Sequence, residues 1–190
     1  MKKVICMGLA LAMAFSMVAC GGCSSSAASS EAGDASSSTA AEGAVKIGGT
    51  GPLTGAAAIY GVAAKNGATI AVEEINAKGG DIQFDLRYED DVHDAEKAVN
   101  AYNTLKDWGM QLSLGSVTSK PAEATSVKNN EDRIFALTPS ASSTATIEGK
   151  DDVFQMCFMD PNQGSASATY ISEKKLGTKI AAIWKNDDVY

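Results

Sequence analysis

Histidine is almost missing from this chain: among 190 residues there is one, His93. A lone imidazole with no second histidine makes a poor transition-metal site, and it leaves no credible nucleophile, base and carboxylate arrangement for hydrolysis. Cysteine is scarce too, with Cys6, Cys20, Cys23 and Cys157 the full set and no spacing that suits zinc. Basic residues are outnumbered, 16 Lys and Arg against 23 Asp and Glu for a net charge of -7, and the lysines are scattered. Phosphate recognition needs clustered cations, so a nucleic-acid partner is excluded. Long apolar runs are also lacking. The most extended one, residues 4–18, falls short of the roughly 20 residues needed to cross a hydrocarbon core.

That run is informative for another reason. Lys2 and Lys3 precede it and Ala19-Cys20 follow it, the cationic, apolar and small-residue succession of an export leader. Its end resembles a bacterial lipobox, in which Cys20 becomes the lipidated first residue of the mature chain, held to the membrane by acyl chains. From 21 to 43 the composition collapses to Gly, Ser, Ala and Thr with a few acids. Such a segment cannot bury enough apolar surface to offset its ordering entropy, and reads as a flexible tether. In the remainder Cys157 stands alone and is expected to be a small buried hydrophobe in an apolar strand.

From residue 44 onward two hydrophobic periods alternate. Strands are predicted at 45–47, 84–88, 110–114, 134–137, 153–159 and 180–184. Helices are predicted at 57–77, 94–108, 121–130 and 163–175. In the first helix Val62, Ala63, Gly67, Ile70, Ala71, Glu74 and Ile75 recur at helical spacing, with Lys78-Gly79-Gly80 as a stop. In the second, Ala95, Ala98, Val99, Tyr102 and Leu105 share a face. Strands separated by helices pair in parallel through right-handed crossovers, which gives an α/β fold: an open parallel sheet with helices on both faces. In such sheets ligands bind beyond the carboxyl ends of the strands. The loops to inspect are 48–60, 89–94, 115–120 and 138–144.

Gly49-Thr50-Gly51-Pro52-Leu53-Thr54-Gly55 imitates a dinucleotide-binding turn, but Pro52 removes an amide that should cradle pyrophosphate. In Asp90-Asp91-Val92-His93-Asp94 the favoured role is capping, with Asp94 or a neighbouring acid at the N-terminus of the next helix. The other two loops, Gly115 to Pro121 and Thr138 to Ser143, are rich in hydroxyls and have no base among them. Hydroxyls and free amides at a helix start suit a carboxylate, and turn carbonyls suit an ammonium. Ordinary capping and turn chemistry is the alternative for each serine or threonine taken singly.

Several of these stretches fall in a familiar order. Ile47 to Gly55, Tyr60-Gly61, Asn66-Gly67, Ala71-Val72-Glu73-Glu74-Ile75-Asn76-Ala77-Lys78-Gly79-Gly80, Glu89-Asp90-Asp91, Gly115 to Ala122, Thr138-Pro139-Ser140-Ala141-Ser142, Asp160-Pro161-Asn162-Gln163-Gly164 and Trp184 to Tyr190 together resemble the branched-chain amino-acid type of periplasmic binding protein. The resemblance implies a receptor, not an enzyme, that uses no cofactor, closes two lobes on an amino acid and hands it to an ABC permease. It implies that Val117, Thr118 and Ser119, with Ser140, Ala141 and Ser142, hold the ligand. Ser119 and Ser142 would meet the carboxylate, and the Ser140 carbonyl the ammonium. Tyr60 matches a pocket-lining aromatic, and Tyr190 one contributed by the second lobe.

On this reading residues 1–20 are a lipoprotein signal, 21–43 the tether, 44–159 an incomplete first lobe and 160–190 the start of a second. The mature protein is then extracytoplasmic, anchored to the bacterial membrane through Cys20, with a branched-chain or other aliphatic amino acid as ligand. Alternatives are an exported ligand-sensing module, and a receptor for urea or short amides, which relatives with similar first-lobe loops bind.

Overall fold

The computed structural model describes residues 43–184. The expected leader, nearly all of the tether, Cys20 and Tyr190 lie outside the described residues. Five strands, β1 (Val45–Gly51), β2 (Phe84–Asp90), β3 (Leu112–Ser116), β4 (Ala136–Thr138) and β5 (Val153–Gln155), form one sheet in the order β2-β1-β3-β4-β5. Every neighbouring pair is parallel, as the alternation of elements requires. The helices are α1 (Ala58–Ala77), α2 (Ala95–Trp108), α3 (Ser119–Asp132) and α4 (Asp160–Glu173). Right-handed crossovers stepping in opposite directions from β1 put α1 on one face of the sheet and α2 and α3 on the other. There α2 and α3 pack together.

The glycines after Ile47, read from sequence as a turn, instead continue β1 to Gly51 in unbroken register with β2. Crowding on both faces of this central strand explains them. A Cβ at Gly48 would stand 2.2 Å from the Met110 sulfur, and one at Gly49 would stand 2.3 Å from the Tyr88 ring.

Helix α1 also departs from expectation. The face carrying Val62, Ile70 and Ile75 is exposed, and the side toward the sheet is the small-residue stripe Gly61, Ala64, Ala68 and Val72. Two close contacts set that rotation. Gly61 lies so near Pro52 that a Cβ would reach 2.0 Å from its carbonyl oxygen. At the other end Asn76 clasps Phe84, accepting from its amide at 2.9 Å and donating to its carbonyl at 2.8 Å.

Helix α2 follows its sequence closely. Ala98, Ala101, Tyr102 and Leu105 are buried, Asp94 caps its start by accepting from the Lys97 amide at 2.9 Å, and Gly109 ends it in the left-handed region. Tyr102 and Leu105 form the apolar core with Met110, flanked by Trp108 and Ile134.

Toward the end of the described residues two expectations fail. The predicted strand at 153–159 shortens to Val153–Gln155, and Cys157 lies beyond it, half-buried, its thiol donating to the Ala141 carbonyl at 3.2 Å. No strand forms at 180–184, where Ile180, Ile183 and Trp184 are exposed. A strand is held by its ladder, and among the described residues none lies beside this segment.

Candidate functional site

The strand order reverses at β1, whose successor β2 lies to one side and β3 to the other. The loops leaving β1, β3 and β4 therefore meet around a topological switch point. Val117, Thr118 and Ser119 follow β3, all of them buried, and Ser119 is the first residue of α3, two earlier than Pro121 suggested. Ser140, Ala141 and Ser142 follow β4.

Hydrogen bonds lock these two loops to each other. The Ser140 hydroxyl donates to the Val117 carbonyl at 2.8 Å, and Thr138 Oγ1 donates to the Ser116 carbonyl at 2.7 Å. Ser119 Oγ accepts from the amides of Ser142 at 3.1 Å and Ser143 at 3.2 Å. Ser143 Oγ in turn donates to Glu123 on α3 at 2.5 Å. Both lone-pair directions of the Ser119 oxygen are thus taken, and its proton is the part left to donate. The carbonyl of Ala141 accepts from Gln155 as well as Cys157, and that of Ser142 from the Asp160 amide at 3.1 Å. Beneath, buried Thr50, Ser116 and Thr125 form a hydroxyl chain, with contacts of 2.5 and 3.2 Å. Each hydroxyl satisfies the next, the condition for burying polar atoms at all.

Helix α3 starts without a side-chain cap: Pro121 at its third position has no N–H to give, and Thr118 at its N-cap turns its hydroxyl to His93 Nδ1 at 2.8 Å. The amides of Ser119 and Lys120 have no acceptor within the helix. A recess of about 450 Å³ opens beside this edge, lined by Ser140, Ser142, Cys157, Phe158, Asp160 and Gln163.

The loop after β1 is held by Asp90, whose carboxylate accepts from the Leu53 amide at 2.8 Å, the Thr54 hydroxyl at 2.6 Å and the Val92 amide at 2.9 Å. Partial burial pushes the Asp90 pKa up, and these donors outweigh it, leaving the group below its usual range. Asp91 is the opposite case. It is fully buried, with Oδ1 accepting from the His93 amide at 2.9 Å and Oδ2 without a hydrogen-bond partner among the described residues. Burial drives its pKa up to about 6. Burial, with Asp91 nearby, also raises Tyr88. The Cys157 thiol is likewise pushed up by burial.

Of the residues singled out from sequence, Val117, Thr118, Ser119, Ser140, Ala141 and Ser142 are brought into one wall. Tyr60 is half-exposed in the first turn of α1, next to Gly61. That turn approaches the wall, since a Cβ on Gly51 would touch both Val117, at 2.8 Å, and Gly61, at 3.4 Å. Asp90, His93 and Thr138 lie in loops marked from the sequence, with contacts it did not show, and Glu123 was not expected here. Nothing local in the sequence marks Glu123 for this place.

Comparison with known proteins now decides the family. Residues 44–190 match the periplasmic binding protein family. The chain belongs to it. Among its periplasmic binding protein relatives, the Leu/Ile/Val-binding protein BraC3 of Rhizobium johnstonii is 33% identical over 142 residues, 73% of this chain and 39% of that one. The leucine-, isoleucine-, valine-, threonine- and alanine-binding protein of Pseudomonas aeruginosa is 32% identical over 160 residues, 83% of this chain and 43% of that one. The structure of the branched-chain amino-acid transporter substrate-binding protein LivJ of Streptococcus pneumoniae, in complex with isoleucine, superposes with a TM-score of 0.64 at 30% identity, covering 69% of this chain and 38% of that one. The parallel five-stranded sheet is thus that of a type I periplasmic binding protein. The chain spans about two fifths of the length of the curated relatives it matches.

Proposed function

We propose that residues 44–159 are the ligand-receiving part of a first lobe, and that residues from 160 lead into a second, in an extracytoplasmic receptor that binds a branched-chain or other aliphatic amino acid. The observation that carries this reading is the interlocked pair of hydroxyl-rich loops beyond β3 and β4, beside an uncapped helix start. In this reading a carboxylate takes the Lys120 amide at the start of α3 and the hydroxyl of Ser142, which lines the recess. Turn carbonyls around Ser140 suit the ammonium, and Tyr60 suits the ligand side chain. The named specificities of the relatives support an aliphatic amino acid. Within the wall the Thr118 hydroxyl is engaged by His93 and that of Ser143 by Glu123, and the solute-binding relatives favour binding over catalysis.

Lobe closure on the bound zwitterion would present the receptor to an ABC permease, with Tyr190 joining from the second lobe. No helix among the described residues is long and apolar enough to cross a membrane. Attachment in this proposal runs through a lipid on Cys20 and the tether of 21–43.

Isothermal titration of the chain, alone and extended to the stop codon of its reading frame, against leucine, isoleucine, valine, alanine and urea tests the reading. Heat with the aliphatic amino acids in the extended form supports it. Heat with urea alone moves the assignment to the amide receptors, and none from a folded extended form sinks it.

A further inference from the structure

The segment between β2 and α2 stands out in its backbone. Val92 and His93 have φ of 52° and 59°, two consecutive non-glycine residues in the left-handed region, the first of them β-branched. Side chains there crowd the backbone, so such a pair persists only where surrounding contacts hold it. Those contacts are explicit. The Val92 amide donates to Asp90, the His93 amide donates to Asp91, and the Asp94 amide closes the turn on the Asp91 carbonyl at 2.9 Å. Asp91 is itself tied back to β1, its amide donating to the Gly51 carbonyl at 3.1 Å.

The strained turn aims the imidazole across the sheet edge at Thr118, 25 positions later, where Nδ1 and Oγ1 stand 2.8 Å apart. This contact bears on the missing cap of α3. A threonine at the N-cap ordinarily turns its hydroxyl onto the N2 or N3 amide; at N3 Pro121 has none, and the hydroxyl that could take the Lys120 amide at N2 is engaged by His93 instead. The same carboxylate pair thereby steadies two loops of the wall, the one after β1 through Asp90 and the one after β3 through Asp91 and His93.

We propose that His93 is a positioning residue for ligand binding: by holding the Thr118 hydroxyl away from the start of α3, it keeps the Lys120 amide available to the ligand's carboxylate. This rests on the receptor reading above.

The test compares His93→Gly with His93→Asn in the chain extended to its stop codon, titrated with isoleucine and melted in parallel. Glycine relieves the backbone and deletes the hydrogen bond. Asparagine tolerates the left-handed region and carries a polar atom close to the place of Nδ1. The expected result is a melting temperature for His93→Gly equal to or above that of the unaltered protein, with affinity weaker about three- to tenfold. His93→Asn should bind within about twofold of the unaltered protein, because the hydrogen bond is kept. Combined with Thr118→Val, His93→Gly should weaken binding no further than Thr118→Val does alone. Unchanged affinity in His93→Gly, or equal losses in the glycine and asparagine variants, would overturn the inference while leaving the receptor standing. So would failure of His93→Gly to fold, which would mark the imidazole as a structural clamp. No binding by the unaltered protein would bring down the receptor reading, and the inference with it.

Discussion

Ser119 holds Ser142. The hydroxyl oxygen at the start of α3 accepts the Ser142 amide at 3.1 Å, and the next amide of the same loop at 3.2 Å. With Thr138 and Ser140, this side chain sets the spacing of the two loops that form the wall. Replacing it by alanine leaves two amides without their acceptor in a dry place, a loss of about 1–3 kcal/mol. Ser119→Ala is expected to lower the denaturation midpoint accordingly in urea titration, with Ser119→Thr recovering most of it. A midpoint unmoved by the alanine change would mean that water replaces the hydroxyl.

Two glycines of α1 should respond in opposite directions to the same substitution. Gly61 has the Pro52 carbonyl 2.0 Å from where its Cβ would go, whereas a Cβ on Gly67 meets nothing within 4 Å. Gly61→Ala must push helix from loop, at a cost of about 1–3 kcal/mol. Gly67→Ala gains about 0.5–1 kcal/mol from reduced backbone freedom in the unfolded chain. Thermal unfolding of both variants, side by side, checks the orientation of the helix on the sheet.

Acidification should relieve a strain centred on Asp91. Its folded pKa of about 6 lies above the unfolded value, so between the two the folded protein holds a proton that the unfolded chain has released. The contribution of Asp91 to stability therefore declines as pH rises from about 4 to 6 and is least favourable above that window. Asp90, lowered by its donors, acts in the other sense and loses its contribution only as pH falls below the usual carboxylate range. Asp91→Asn keeps an acceptor for the His93 amide and removes the buried charge. It should be more stable than the parent by on the order of 2 kcal/mol at pH 7.5, with the difference vanishing near pH 4. Unfolding free energies measured across that range check it, and a difference constant with pH would show that Asp91 does not titrate there.

Asn76→Ala should detach the end of α1 from β2. Both hydrogen bonds to Phe84 bridge the turn between those elements, and their removal is expected to cost about 1–2 kcal/mol. Faster amide exchange at Phe84 is the accompanying sign, because its N–H then has no acceptor from that helix.

Much of the frame was legible in the sequence because period and punctuation agree there. Asp94 opens α2 and Gly109 closes it, and the buried face of that helix is the one its spacing predicts. Where side chains are small, sequence was misleading. Glycines at 48 and 49 look like a turn and are a strand interior, since the reason for them lies in Tyr88 and Met110, distant in the chain. In α1 the bulkier apolar residues mark the wrong face, because the approach to the sheet is limited by Gly61 and admits only small side chains. The predicted strand at 180–184 had hydrophobicity in its favour but lacked a neighbouring strand. In the site, hydroxyl-rich loops after β3 and β4 could be found by their position alone. That Ser119 would spend its oxygen on Ser142, and that His93 would reach Thr118, depends on how closely those loops approach, which no local pattern encodes.

The wall is also economical in its wiring. Val117 to Ser142 is one uninterrupted run through α3 and β4, so the loops it joins are successive outputs of a single β–α–β step. Closing such a short circuit costs little chain entropy, and contacts of low sequence separation form early in folding. Much of the proposed binding wall can then be in place before the more distant partners of the sheet have found their positions.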